Sequence, residues 1–184
     1  MKVKTITGLG LMTALVVVLQ IISNYITPGA VSINLAIIPI VIGAIMFGPL
    51  GGLFLGLVDG ALILSAPSTA VFLGYNAWAT VLLCLLKTGV AGLLAGFTPK
   101  LIKNEKISVI VASVIVPIVN TGLFIGGCIL FFGPLFQNGT ELILVTILGL
   151  IGLNFLIEFG VIVLLAPTTY YIYRIEAHKK PSVD

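Results

Sequence analysis

Apolar residues run through this chain in long blocks, broken at a few places by charge, proline or clustered polar side chains. The blocks cover about 6–26, 33–48, 50–66, 72–97, 107–132 and 141–173. Four of them are long enough for a helix to cross a hydrocarbon layer about 30 Å thick at about 1.5 Å per residue, and the second and third are short. Those two meet at Phe47-Gly48-Pro49-Leu50-Gly51-Gly52, where proline and glycine stop one helix and allow a tight reversal. Runs this long lack the alternation of an outer-membrane barrel. The pattern predicts an all-α integral membrane protein of six transmembrane helices, forming a single domain over 1–184.

Composition agrees, with 59% hydrophobic and 8% charged residues and a mean hydropathy of +1.27, values that no hydrated globular surface tolerates. Charge then supplies a direction. With six spans and the N-terminus inside, Lys2, Lys4, Lys100, Lys103, Lys106, Arg174, Lys179 and Lys180 all fall on the cytoplasmic side. Both termini are therefore expected in the cytoplasm, with 174–184 a short basic tail that includes His178. Lys2 and Lys4 before an apolar run look like a signal peptide, but the run continues to about Tyr25 without a cleavage site and reads as a retained helix. Cys84 and Cys128 lie in apolar runs without metal-ligand spacing and read as small packing residues.

The ninth basic residue, Lys87, is the exception: it sits near the middle of the run 75–97, at midplane depth. A cation there faces a protein interior or cavity and has a partner. It shares a helix face with Thr80, Leu83, Cys84 and Ala91, opposite a stripe of Gly89, Gly92 and Gly96 that admits a close neighbour. The lysine either pairs permanently with a buried carboxylate or looks into a polar site. Asn120, which follows Pro117 in the fifth block, and Asn154 and Glu158, four apart in the sixth, lie at comparable depth, and one shared pocket would satisfy them all. Asp59, beside Gly56 and Gly60, is open to three roles: site residue, helix-packing partner or proton-linked group.

Uncharged polar residues gather on the external side: Asn24, Thr27, Ser32 and Asn34 in one group, Ser65, Ser68, Thr69, Tyr75 and Asn76 in another. Thr27-Pro28-Gly29 and Ala66-Pro67-Ser68 fit turn-rich lids over a site or ordinary connectors. Asn138-Gly139-Thr140 reads as a turn. No phosphate loop, zinc-binding helix motif, His/Cys cluster or nucleophile elbow occurs, so neither catalysis nor a metal or cofactor is expected. No convincing internal repeat marks a self-contained transporter.

Several stretches, in this order and spacing, carry a family resemblance: Ser32-Ile33-Asn34-Leu35 running into Ile38-Pro39-Ile40-Val41-Ile42-Gly43, Phe47-Gly48-Pro49-Leu50-Gly51-Gly52, Leu86-Lys87-Thr88-Gly89, and Pro117-Ile118-Val119-Asn120-Thr121-Gly122. With the six-span layout, the chain resembles the S components, the membrane-embedded substrate-binding subunits of energy-coupling factor (ECF) vitamin transporters. The resemblance implies a vitamin binder in a bacterial plasma membrane that assembles with a transmembrane coupling protein and two ATPase subunits, and that reorients in the bilayer. It places the first three helices against the coupling protein, with Gly10 and Ala14 matching a small-x-x-x-small pair. The last three helices and the first and third loops would form the site, which makes Lys87, Asn120, Asn154, Glu158, Asn34, Asn76, Tyr75 and Trp78 the candidate substrate-binding residues. A lone cation among amides and hydroxyls suits a small carboxylate such as pantothenate, and the chain looks somewhat like pantothenate-type members. Riboflavin, folate and thiamine remain alternatives, as do a proton-coupled carrier using Asp59 or Glu158 and a non-transporting scaffold. Nothing in the chain points to nucleic acid.

Overall fold

The computed structural model of the chain describes residues 3–26, 34–137 and 141–178. Within them the backbone is helical apart from short connections, and no strand forms. In hydrocarbon this is the way an open segment satisfies its own N–H and C=O groups. The elements are α1 (Val3–Ile26), α2 (Ile37–Ile63), a single 3-10 turn at Pro67–Thr69, α3 (Ala70–Tyr75), α4 (Ala77–Leu101), α5 (Glu105–Gln137) and α6 (Glu141–His178). Among the described residues, four segments are long and apolar enough to cross a membrane: Thr5–Tyr25, Ile37–Ile63, Ala77–Leu101 and Glu105–Gly133.

The second of these is not straight. Gly48 stands at φ 78°, ψ −170°, a conformation that costs a residue with a Cβ, and Pro49 removes a backbone donor immediately after it. α2 is thereby two arms, 37–47 and 49–63, that fold back on each other. Gly43 meets Leu55, Ala44 Cβ lies 2.7 Å from where a Cβ on Gly52 would stand, and Phe47 Cβ lies 2.5 Å from the corresponding point on Gly51. As position rises along one arm it falls along the other, so the arms run antiparallel.

This hairpin is the centre of the fold. α1 packs on it from one side and α4 from the other, α5 lies against α4, and α6 lies against α5 and α2. The contact with α4 is built from glycines on both helices: a Cβ on Gly52 would strike the Gly92 carbonyl, one on Gly56 the Thr88 carbonyl, and one on Gly96 would come 2.5 Å from Pro49 Cα. Apolar side chains gain little by leaving lipid for protein, so close backbone approach of this kind supplies the packing energy. Gly52→Ala is therefore expected to lower stability by about 1–3 kcal/mol, read as a lower melting temperature in detergent. Gly10→Ala, with nothing among the described residues within 4 Å of the added carbon, should melt like the native chain.

Three expectations need correction. The block 72–97 is not one helix: Asn76, at φ −150°, ψ 92°, ends α3 and caps α4 by accepting from the Ala79 N–H at 3.1 Å. α5 begins earlier and ends later than 107–132, with Asn104 Oδ1 accepting from the N–H groups of Lys106 and Ile107 at 3.1 and 3.3 Å. The sixth helix continues past 173 to His178, which makes the start of the basic tail helical. The stretch with Thr27, Pro28, Gly29 and Ser32, the turn Asn138-Gly139-Thr140 and the tail from 179 lie outside the described residues.

The two ends of the bundle differ. At one, Phe47 of the hairpin tip lies against Gly8, and Gly96 against Pro49. There Lys100 stands 5.8 Å from the Phe97 ring and Lys106 5.8 Å from the Tyr170 ring, with Arg174 one turn further along α6. At the other end no lysine or arginine contact occurs among the described residues: Leu35 N–H donates to Ser23 Oγ at 3.0 Å, and Asn24 Nδ2 approaches Ser65 Oγ at 3.5 Å.

Candidate functional site

Asn34, just before α2, ties together elements far apart in sequence. Its backbone N–H donates to Glu158 Oε1 of α6 at 2.9 Å, and its side-chain Nδ2 donates to Asp59 Oδ2 on the second arm of α2 at 2.8 Å. Its Oδ1 accepts from the Ala36 N–H at 2.9 Å, the local turn that asparagine makes readily. One short side chain and one peptide group thus hold two buried carboxylates beside the start of the hairpin. Asn34→Ala removes the donor to Asp59 and is expected to cost about 1–3 kcal/mol. Asn34→Asp should cost more, because it sets a third carboxylate against Asp59. Thermal unfolding of the two variants checks the order, and a native-like Asn34→Asp would show that the bond contributes nothing.

Lys87 is on α4 beside Thr88, against which Gly60, the residue after Asp59, packs, and its charge is within electrostatic range of both Asp59 and Glu158. Among the described residues it makes neither an ion pair nor a hydrogen bond; its ammonium lies 4.7 Å from the centre of the Phe124 ring on α5. Asn120 is one turn before Phe124 and buried, and its Oδ1 has no hydrogen-bond partner among the described residues. Asp59 Oδ1 is in the same condition. Two buried acceptors without partners and one cation on an aromatic face are the groups that a ligand bearing both a negative group and hydrogen-bond donors would satisfy.

The structure therefore brings Lys87, Asn34 and Glu158 into one neighbourhood and sets Asn120 one turn from it. Asn154 lies one turn before Glu158 on α6, and its side chain is outside the described ones. The external aromatic and amide residues are elsewhere: Asn76 serves as the α4 cap, Tyr75 packs against Phe132 at 5.9 Å between ring centres, and Trp78 is 86% exposed. Asp59, fully buried and bonded to Asn34, belongs to this cluster by position, and its three possible roles stay open. Phe124 was missed by the sequence reading, although its spacing of four from Asn120 places both on one face.

The chain from 4 to 180 matches the model of a family described as ECF transporter, substrate-specific component. The chain belongs to that family. Its members are the membrane subunits that bind substrate for an ECF importer, which associates them with a coupling protein and ATPases. No curated protein and no solved structure matches the chain. Helix apolarity and family together make this S component a membrane protein with a small-molecule ligand.

Proposed function

We propose that this S component captures a small carboxylate vitamin, pantothenate by preference, on the outer side of a bacterial plasma membrane, and releases it inside when the ECF module hydrolyses ATP. The observation that carries the substrate class is Lys87: a cation at mid-depth, on an aromatic face, with no ion pair among the described residues. Asn120 and Asp59 supply acceptors for hydroxyl or amide N–H groups, which a hydroxylated amide such as pantothenate carries. Asn154 is placed by sequence to join them. Asn76, Tyr75 and Trp78 belong to the mouth of the site rather than its floor.

Six crossings, with both termini cytoplasmic, fit this reading. The hairpin tip at Gly48 stands level with the start of α1 and the end of α4, so each arm of α2 reaches from the polar end to the basic end. At about 16 and 22 Å of helix the arms are short, and local thinning or flanking polar groups would cover the difference. Lys100, Lys103, Lys106 and Arg174 then mark the cytoplasmic face. Gly10 and Ala14, both exposed on α1, form the surface for the coupling protein, and the chain itself catalyses nothing.

Native mass spectrometry of the protein purified from cells tests the assignment, because a bound vitamin identifies itself by mass. Pantothenate recovered at one per chain is the expected result; riboflavin, folate or thiamine would replace it while keeping the transporter role. Two carboxylates beside a cation also equip a proton-coupled carrier. Uptake by this chain alone, abolished by collapsing the proton gradient, would establish that reading and overturn the ECF one.

A further inference from the structure

Phe124, whose ring carries the Lys87 ammonium at 4.7 Å, is itself held from outside. Phe72 of α3 meets it edge-on, with centroids 5.7 Å apart and planes at 71°. Phe72 meets Phe132 in the same way at 5.2 Å and 87°, and Tyr75, the last residue of α3, lies 5.9 Å from Phe132. An unbroken aromatic chain therefore runs from half-exposed Tyr75 at the polar end of the bundle to the cation. α3 is six residues long with none of them buried, so these ring contacts are a main part of what docks it.

We propose that Phe124 is a positioning residue for the Lys87 ammonium and that Phe72 links its placement to the docking of α3. The physical reason is the freedom of lysine. Four rotatable bonds let an ammonium sweep widely, and a ring face within about 6 Å is an electrostatic seat that narrows the sweep. A ligand that meets a seated cation has less ordering to impose on binding. Movement of α3 would release the Phe124 ring and with it the cation, which gives the external helix control over the receptor group without touching it. The positioning is a property of the ligand-free protein; its consequence for affinity rests on the reading of Lys87 as a carboxylate receptor.

Full-length protein carrying lysine labelled with carbon-13 at Cε, ligand-free in detergent, reads the placement directly. The Lys87 signal, assigned by its loss in Lys87→Arg, should lie upfield of the exposed lysines because of the ring current. It should stay there in Phe124→Tyr, join the exposed lysines in Phe124→Leu, and move part of the way in Phe72→Leu. An unmoved signal in Phe124→Leu overturns the proposal, and an unmoved signal in Phe72→Leu removes α3 from it. Phenylalanines bearing one, two or three fluorines at 124 keep the shape while draining the ring face, so they remain informative if the leucine variant fails to fold. Across that series pantothenate affinity by calorimetry should fall stepwise, roughly tenfold in total. A flat series would sink the role in binding. A native protein that shows the ring-shifted lysine and binds no pantothenate would instead sink the vitamin assignment and leave the positioning standing.

Discussion

Lys87→Met is expected to fold and reach the membrane while losing about two to four decades of substrate affinity. The reasoning starts from what the ammonium faces. It has no ion pair among the described residues, so a substrate carboxylate that meets it would supply the direct counter-charge the ammonium lacks there. Stranding a desolvated carboxylate opposite methionine costs about 3–5 kcal/mol, and each ~1.4 kcal/mol is tenfold in affinity. Glu158 is the competing partner; its Oε1 accepts from the Asn34 N–H at 2.9 Å, and among the described residues it makes no ion pair with Lys87. Glu158→Gln can still accept that bond and should fold.

Thermal stability without ligand, and affinity for pantothenate, should be measured for Lys87→Met, Glu158→Gln and the double variant. Native affinity in Lys87→Met refutes the carboxylate-receptor role. Recovery in the double variant of stability lost in Lys87→Met would show that the lysine and glutamate are a structural pair. If stability is little changed and affinity collapses, the lysine is there for the ligand.

Replacing Gly10 and Ala14 together with leucine is expected to abolish assembly with the coupling protein, and uptake with it, while substrate binding by the isolated chain stays native. Both residues lie on an exposed face of α1, nothing among the described residues comes within 4 Å of a Cβ at Gly10, and the apolar window of α1 is only 11% buried. Four-residue spacing of small side chains on such a face lets a second helix approach closely, and two leucines prevent it. Copurification of the ECF module, vitamin uptake in cells and calorimetry on the isolated protein separate the effects. Loss of binding with assembly intact would reverse the assignment, and poor folding would mean that the pair packs inside the chain.

Much of this protein is written along its sequence because the bilayer leaves a backbone few choices. Long apolar runs made the fold helical, and Gly48-Pro49 placed the turn of the hairpin, since glycine alone enters φ 78° freely and proline cannot continue the ladder. The stripe of Gly89, Gly92 and Gly96 announced a close neighbour on α4. Lys87 stood out because a lone cation in a long apolar run needs a reason. The break at Asn76 was not read, because asparagine is equally at home in a loop and at a cap, and only the bond from Ala79 N–H distinguishes them.

The tertiary structure decided which polar groups meet. No spacing rule joins Asn34 to Asp59, 25 residues on, or to Glu158, 124 residues on; the return of the hairpin and the packing of α6 on α2 do that. The same packing seats Lys87 on Phe124, and Phe124 against Phe72, from three different helices. It also leaves Trp78 86% exposed near the start of α4, an environment that its place in the sequence does not reveal. Local chemistry determines which residues need partners. The fold determines which partners they find, because helix packing sets distances that one-dimensional spacing does not contain.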